Sequence, residues 1–83
     1  MQLSVRLFAR ARDLVGESEA LVELAPGATV ADLRRRLSVD YPTLKSLLEN
    51  SALAVNDEFA DDSSALSPDS EIALLPPVSG GQQ

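Results

Sequence analysis

The chain has 83 residues, no cysteine, no histidine and a formal charge of −6. That is room for one domain, and it excludes disulfides, thiolate nucleophiles and cysteine-based metal sites. An acidic surface repels nucleic-acid phosphates and anionic membranes, so neither is an expected partner. A general acid or base working near neutral pH would have to be a perturbed carboxylate or Lys45, the single lysine, which is a poor endowment for an autonomous enzyme. No apolar run reaches the length of a membrane span and the first residues lack a signal-peptide pattern, so a cytoplasmic location is expected.

Residues 2–8 alternate, with Leu3, Val5 and Leu7 pointing one way and Gln2, Ser4 and Arg6 the other. That pattern predicts a half-buried strand, with Phe8 out of phase on the face away from the core. Residues 9–15 suit a short helix that Gly16 can close. Residues 19–24 alternate again, with Ala20, Val22 and Leu24 inward, near enough to the first strand to pair with it antiparallel. Pro26-Gly27 marks a turn. Thr29 is a good N-cap with Asp32 in the capping-box position, and Val30, Leu33 and Leu37 recur at helical spacing. Arg34, Arg35 and Arg36 read as a solvated helix face.

Tyr41-Pro42 interrupts that helix, and residues 43–49 suit another short turn with Leu44, Leu47 and Leu48 buried. Residues 52–56 read as a short strand and 58–60 as a weak one. Asp57, Glu58, Asp61 and Asp62 cluster without the glycine and distal glutamate of a calcium loop, so a solvated loop is expected and no metal. Pro68-Asp69-Ser70 turns the chain into a last strand, 71–75, in which Ile72 and Leu74 share one phase and Ala73 and Leu75 the other. Strands framing one principal helix predict an α+β domain over 1–75, a mixed sheet with the helix on one face.

Residues 76–83, Pro76-Pro77-Val78-Ser79-Gly80-Gly81-Gln82-Gln83, are then expected to form an extended tail. Two prolines cannot continue a ladder and stiffen the exit. Gly80 and Gly81 leave the tip thin and flexible, so a partner's backbone can close around it. A frayed chain end is the alternative reading of the same residues.

Four stretches together resemble the ubiquitin-like β-grasp superfamily and, within it, the family of molybdopterin synthase small subunits. They are Leu7-Phe8-Ala9 with Arg12-Asp13-Leu14-Val15-Gly16, Thr29-Val30-Ala31-Asp32-Leu33, Ala54-Val55-Asn56, and Leu66 through Gly81. The Pro-Pro-Val-Ser-Gly-Gly ending is the most specific of them. The resemblance implies a sulfur carrier. Its terminal glycine carboxylate, here Gly81 preceded by Gly80, is adenylated by a ubiquitin-activating-type adenylyltransferase that uses ATP. A sulfur-donating enzyme then supplies the sulfur of a glycine thiocarboxylate. Pro76, Pro77, Val78 and Ser79 enter the large synthase subunit with the glycines, and sulfur passes to cyclic pyranopterin monophosphate. Two carriers per product imply a heterotetramer. The chain itself would bind no cofactor, and its missing catalytic residues are what a carrier implies.

Phe8, Phe59 and Leu75 are then expected to form an apolar patch beside the tail that docks both the activating enzyme and the large subunit. The alternative is that Phe59 and Leu75 cover helix ends or fill gaps in the core. Gln82 and Gln83 depart from the family pattern, because Gly81 cannot be adenylated while it is joined to Gln82. Proteolytic trimming, residues foreign to the natural protein, and a binding module that carries no sulfur all remain open. A carrier for thiamine or tRNA thiolation, or for conjugation to protein lysines, is the alternative within the superfamily.

Overall fold

Strict alternation gives the first hairpin. In the computed structural model, which describes residues 1–75, β1 spans Gln2–Leu7 and β2 spans Glu19–Glu23. They pair antiparallel, with Leu3 opposite Val22 and Val5 opposite Ala20. All four of these side chains are buried on one face. Between the strands, α1 (Ala9–Val15) ends at Gly16, whose φ of 84° lets its N–H donate to the Arg12 carbonyl. A side chain there would strain the turn.

The principal helix, α2, spans Val30–Asp40. The first three N–H groups of a helix lack partners within it, and here all three find one. Val30 donates to the Ser64 carbonyl, Ala31 to the Asp62 carbonyl and Asp32 to the Thr29 hydroxyl. The Asp32 carboxylate accepts from the Thr29 N–H in return, completing the capping box. That backbone bond, helped by the Thr29 hydroxyl and the nearby Arg35 guanidinium, outweighs desolvation and holds the Asp32 carboxyl below the usual carboxylate range. Val30, Leu33 and Leu37 lie fully buried along the stripe that faces the sheet.

Pro42 opens a 3₁₀ turn, Pro42–Leu44, that leads into α3, Lys45–Leu48. Leu44 and Leu48 are buried as expected, whereas Leu47 is only partly covered. Leu24 likewise packs at the edge of the core rather than inside it. Three further strands follow: β3 (Ala52–Val55), β4 (Glu58–Phe59) and β5 (Ile72–Leu75). The sheet order is β2-β1-β5-β3-β4, with β5 parallel to β1 and antiparallel to β3. The last strand therefore lies in the middle of the sheet. Ile72 and Leu74 of β5 join Leu53 of β3 and the β1 leucines and valine beneath α2.

The three arginines do not behave alike. Arg35 and Arg36 face solvent and pair with Asp32 and Asp40. Arg34 does not. Its Nη1 donates to the carbonyls of Leu48 (2.6 Å) and Ser51 (2.9 Å), and its Nε reaches Asp62 at 3.4 Å. Position 34 lies four residues beyond Val30, on the flank of the buried stripe. From there its guanidinium satisfies carbonyls at the end of α3 and ties three segments together.

The outer edge of β2 meets Tyr41. Its hydroxyl accepts from the Leu21 N–H at 3.2 Å and donates to the Leu21 carbonyl at 3.3 Å.

Candidate functional site

Side chains alternate across a strand, so the face of the sheet away from α2 can be read from the register. Arg6 lies opposite Ala73, Ala73 opposite Ala54, and Ala54 opposite Phe59. These four residues form one row across β1, β5, β3 and β4. In the next row Leu75 lies opposite Ala52. Phe8 follows Leu7, the partner of Leu74, with extended φ and ψ of −131° and 157°, so alternation brings it beside Leu75. The alanines are a shallow floor, and Phe8, Phe59 and Leu75 stand around it. All three line one depression of about 290 Å³, together with Arg6, Asp57 and Glu71.

Phe59 is 76% exposed and Phe8 40%, so neither fills the core; Leu75 is half-buried. The expectation for Phe8 needs one correction. It does not lie within a strand but in the N-cap position of α1, with no side-chain capping bond. The chain leaves the sheet there because Ala9 takes a φ of 50°.

Backbone strain gathers at the same place. Among the described residues, the non-glycine residues with positive φ are Ala9 (50°), Asn56 (53°) and Asp57 (70°). Ala9 adjoins Phe8, and Asn56-Asp57 turns the chain toward Phe59. A left-handed alanine costs about 1–2 kcal/mol, so the fold tolerates strain where it orients the two aromatic residues. The Asn56-Asp57 pair, with positive φ at both central positions, is a two-residue hairpin turn of the primed type. This turn and the alanine floor were missed from the sequence. The signal was present in an Asn-Asp pair between two short strand-like segments.

Among the described residues no cluster of three or more acidic side chains is arranged to hold a metal, and no helix is long and apolar enough to cross a membrane. Asp62 of the acidic stretch is engaged by Arg34. The outer face is an apolar floor with charged margins. Pro76, Pro77, Val78, Ser79, Gly80, Gly81, Gln82 and Gln83 lie outside the described residues. Their attachment point does not: the tail is joined to Leu75, on the rim of the depression.

Comparisons with known proteins agree over nearly the whole chain. A model described as the ThiS family matches residues 5–81. The molybdopterin synthase sulfur carrier subunit of Chlamydomonas reinhardtii is 36% identical over 83 residues, covering 98% of this chain and 100% of that protein. Among solved structures, SAMP1 from Haloferax volcanii is similar with a TM-score of 0.84 at 30% identity, covering 98% of this chain and 100% of that one. A chain in the complex of subunits 1 and 2 of molybdopterin-converting factor from Helicobacter pylori gives a TM-score of 0.68 at 29% identity, with coverage of 98% and 100%.

Proposed function

The chain belongs to the ThiS family and has the ubiquitin-like β-grasp fold; from that premise we propose that it is a sulfur carrier for molybdenum-cofactor biosynthesis, the small subunit of a molybdopterin synthase. The observation that carries this reading is the end-to-end match to sulfur carrier subunits, together with a family match that runs through Gly80 and Gly81.

Hydrolysis of the Gly81–Gln82 amide frees the Gly81 carboxylate. A ubiquitin-activating-type enzyme joins that carboxylate to the adenylyl group of ATP and releases pyrophosphate. A carboxylate is a poor acyl donor until its oxygen becomes a good leaving group, and AMP is one. Sulfur at the sulfide level, delivered by a sulfur-donating enzyme, attacks the acyl carbon and displaces AMP to leave the thiocarboxylate; passing that sulfur to cyclic pyranopterin monophosphate inside the large subunit returns the Gly81 carboxylate. Each step draws its acid, base and metal groups from a partner, which suits a chain with neither histidine nor cysteine. The large subunit as partner is supported by the Helicobacter pylori complex of the two subunits. The patch of Phe8, Phe59 and Leu75 docks this partner while the tail enters it.

The test is the intact mass of the protein from its own cells, taken with its activating enzyme and a sulfur source. A chain ending at Gly81 with one carboxylate oxygen replaced by sulfur is the expected result. A mass that keeps Gln82 and Gln83 and never gains sulfur overturns the proposal.

The likeness to SAMP1, called a small archaeal modifier protein, favours a second reading in which the activated Gly81 is transferred to lysine amines of other proteins. Isopeptide-linked conjugates in the same cells would establish it. Rescue of molybdoenzyme activity in a strain lacking the gene separates the first reading from this one.

A further inference from the structure

We propose that Asn56 is the positioning residue of the docking face, the group that lets the chain turn back toward Phe59 without releasing β5, which carries Leu75. The inference rests on the docking reading above and adds the residue that sets the geometry of that surface.

Val55 lies opposite Ile72 in the β3–β5 ladder, so Asn56 falls opposite Glu71. In an antiparallel ladder such opposite residues exchange two bonds at every second pair. One of the two is ordinary here: the Asn56 N–H donates to the Glu71 carbonyl at 2.7 Å. The other is not. At a φ of 53° the main chain of Asn56 has already entered the hairpin, and its carbonyl is not what the Glu71 N–H meets. The side-chain Oδ1 of Asn56 accepts from the Glu71 N–H instead, at 2.9 Å. The side chain therefore stands in for the missing main-chain acceptor. The ladder to β5 gains one more rung at the residue where the chain turns away from it.

The turn has a consequence across the sheet. Ala60 N–H donates to the Leu53 carbonyl, which makes Ala54 and Phe59 a non-bonded pair, the kind whose side chains approach more closely. Phe59 is thereby laid over the alanine floor. It is 76% exposed, so its own burial does little to hold it, and β4 is only two residues long. The turn has to hold it. Asparagine combines tolerance of a left-handed φ with a side-chain acceptor at this reach. Glycine supplies only the first.

The experiment compares Asn56→Gly, Asn56→Asp, Phe59→Ala and the Asn56→Gly/Phe59→Ala double variant. Titration calorimetry with the purified cognate large subunit gives affinity. Amide exchange of Glu71 and the Phe59–Ala54 nuclear Overhauser contact are read in the free protein. Asn56→Gly keeps the turn foldable because glycine accepts its φ. It should weaken binding about tenfold, as the loss of one interface anchor does, speed Glu71 exchange and dim the Phe59–Ala54 contact. Asn56→Asp retains the acceptor and should restore all three. The double variant should bind no worse than Phe59→Ala alone, since a residue that acts through Phe59 has nothing left to position. Additive losses, or an unchanged Glu71 amide and Phe59 contact in Asn56→Gly, overturn the inference. Failure of the wild-type chain to bind the large subunit sinks the docking reading instead, while exchange and the Phe59 contact still decide what Asn56 does.

Discussion

The two faces of this sheet are made from the same strands and serve opposite ends. On the inner face Leu3, Val5, Leu7, Leu53, Ile72 and Leu74 are each 2% exposed or less, locked beneath a helix whose start is fully capped. On the outer face Ala52, Ala54 and Ala73 of β3 and β5 form a floor beside Arg6 of β1, with Phe8, Phe59 and Leu75 around it. Leu74 and Leu75 are neighbours in one strand, yet one is sealed in the core and the other is on the rim of the outer depression. Stability is concentrated on the first face, which frees the second to carry apolar groups that the core does not bury.

Three substitutions press on that division. Leu74→Ala should produce the largest effect, a loss of about 3 kcal/mol in urea unfolding. A loss below about 1 kcal/mol would mean that the inner face is not where the stability resides. Phe59→Asp, on the outer face, should leave unfolding within about 0.5 kcal/mol of wild type while weakening the large subunit's binding by about 2 kcal/mol. Equal damage to both quantities would erase the distinction between the faces. Asp32→Ala is the smallest, a slight drop in melting temperature near neutral pH through the lost carboxylate half of the capping box. That cost should shrink in acid. The Asp32 carboxyl is held below its usual range chiefly by the Thr29 N–H. Its contribution is therefore present above the unfolded value, near about pH 4, and is lost as pH falls through the lower folded value. Melting temperatures of wild type and variant should converge as pH drops below about 4, and a gap that stays constant would show that the Asp32 charge adds nothing to the cap.

The inner face was legible in the sequence because burial imposes period. Leu3, Val5 and Leu7 show it at two residues, and Val30, Leu33 and Leu37 at three and four. Thr29 and Asp32 marked the helix start for the same local reason. Phe8 and Leu75 were legible as residues out of phase with the core, and Phe59 as the aromatic of a weak strand beside an acidic loop. Arg34 was not, because three consecutive arginines conceal that the first shares the flank of the buried stripe, and its partners Leu48, Ser51 and Asp62 are distant in sequence. The placement of Phe8 was missed by one residue, since only the positive φ of Ala9 shows that the strand has already ended. Asn56 was read as the end of a strand. Its side-chain bond to Glu71 depends on β5 lying beside β3, and that adjacency is a property of topology.

Tyr41 settles a matter of growth. A further strand joining the sheet beside β2 would need the N–H and carbonyl of Leu21, and one hydroxyl already holds both. Two copies meeting edge to edge about Leu21 would also set Glu19 against Glu23, like charge against like. Unchecked stacking into fibrils is thus opposed at this border by a single phenol and two carboxylates.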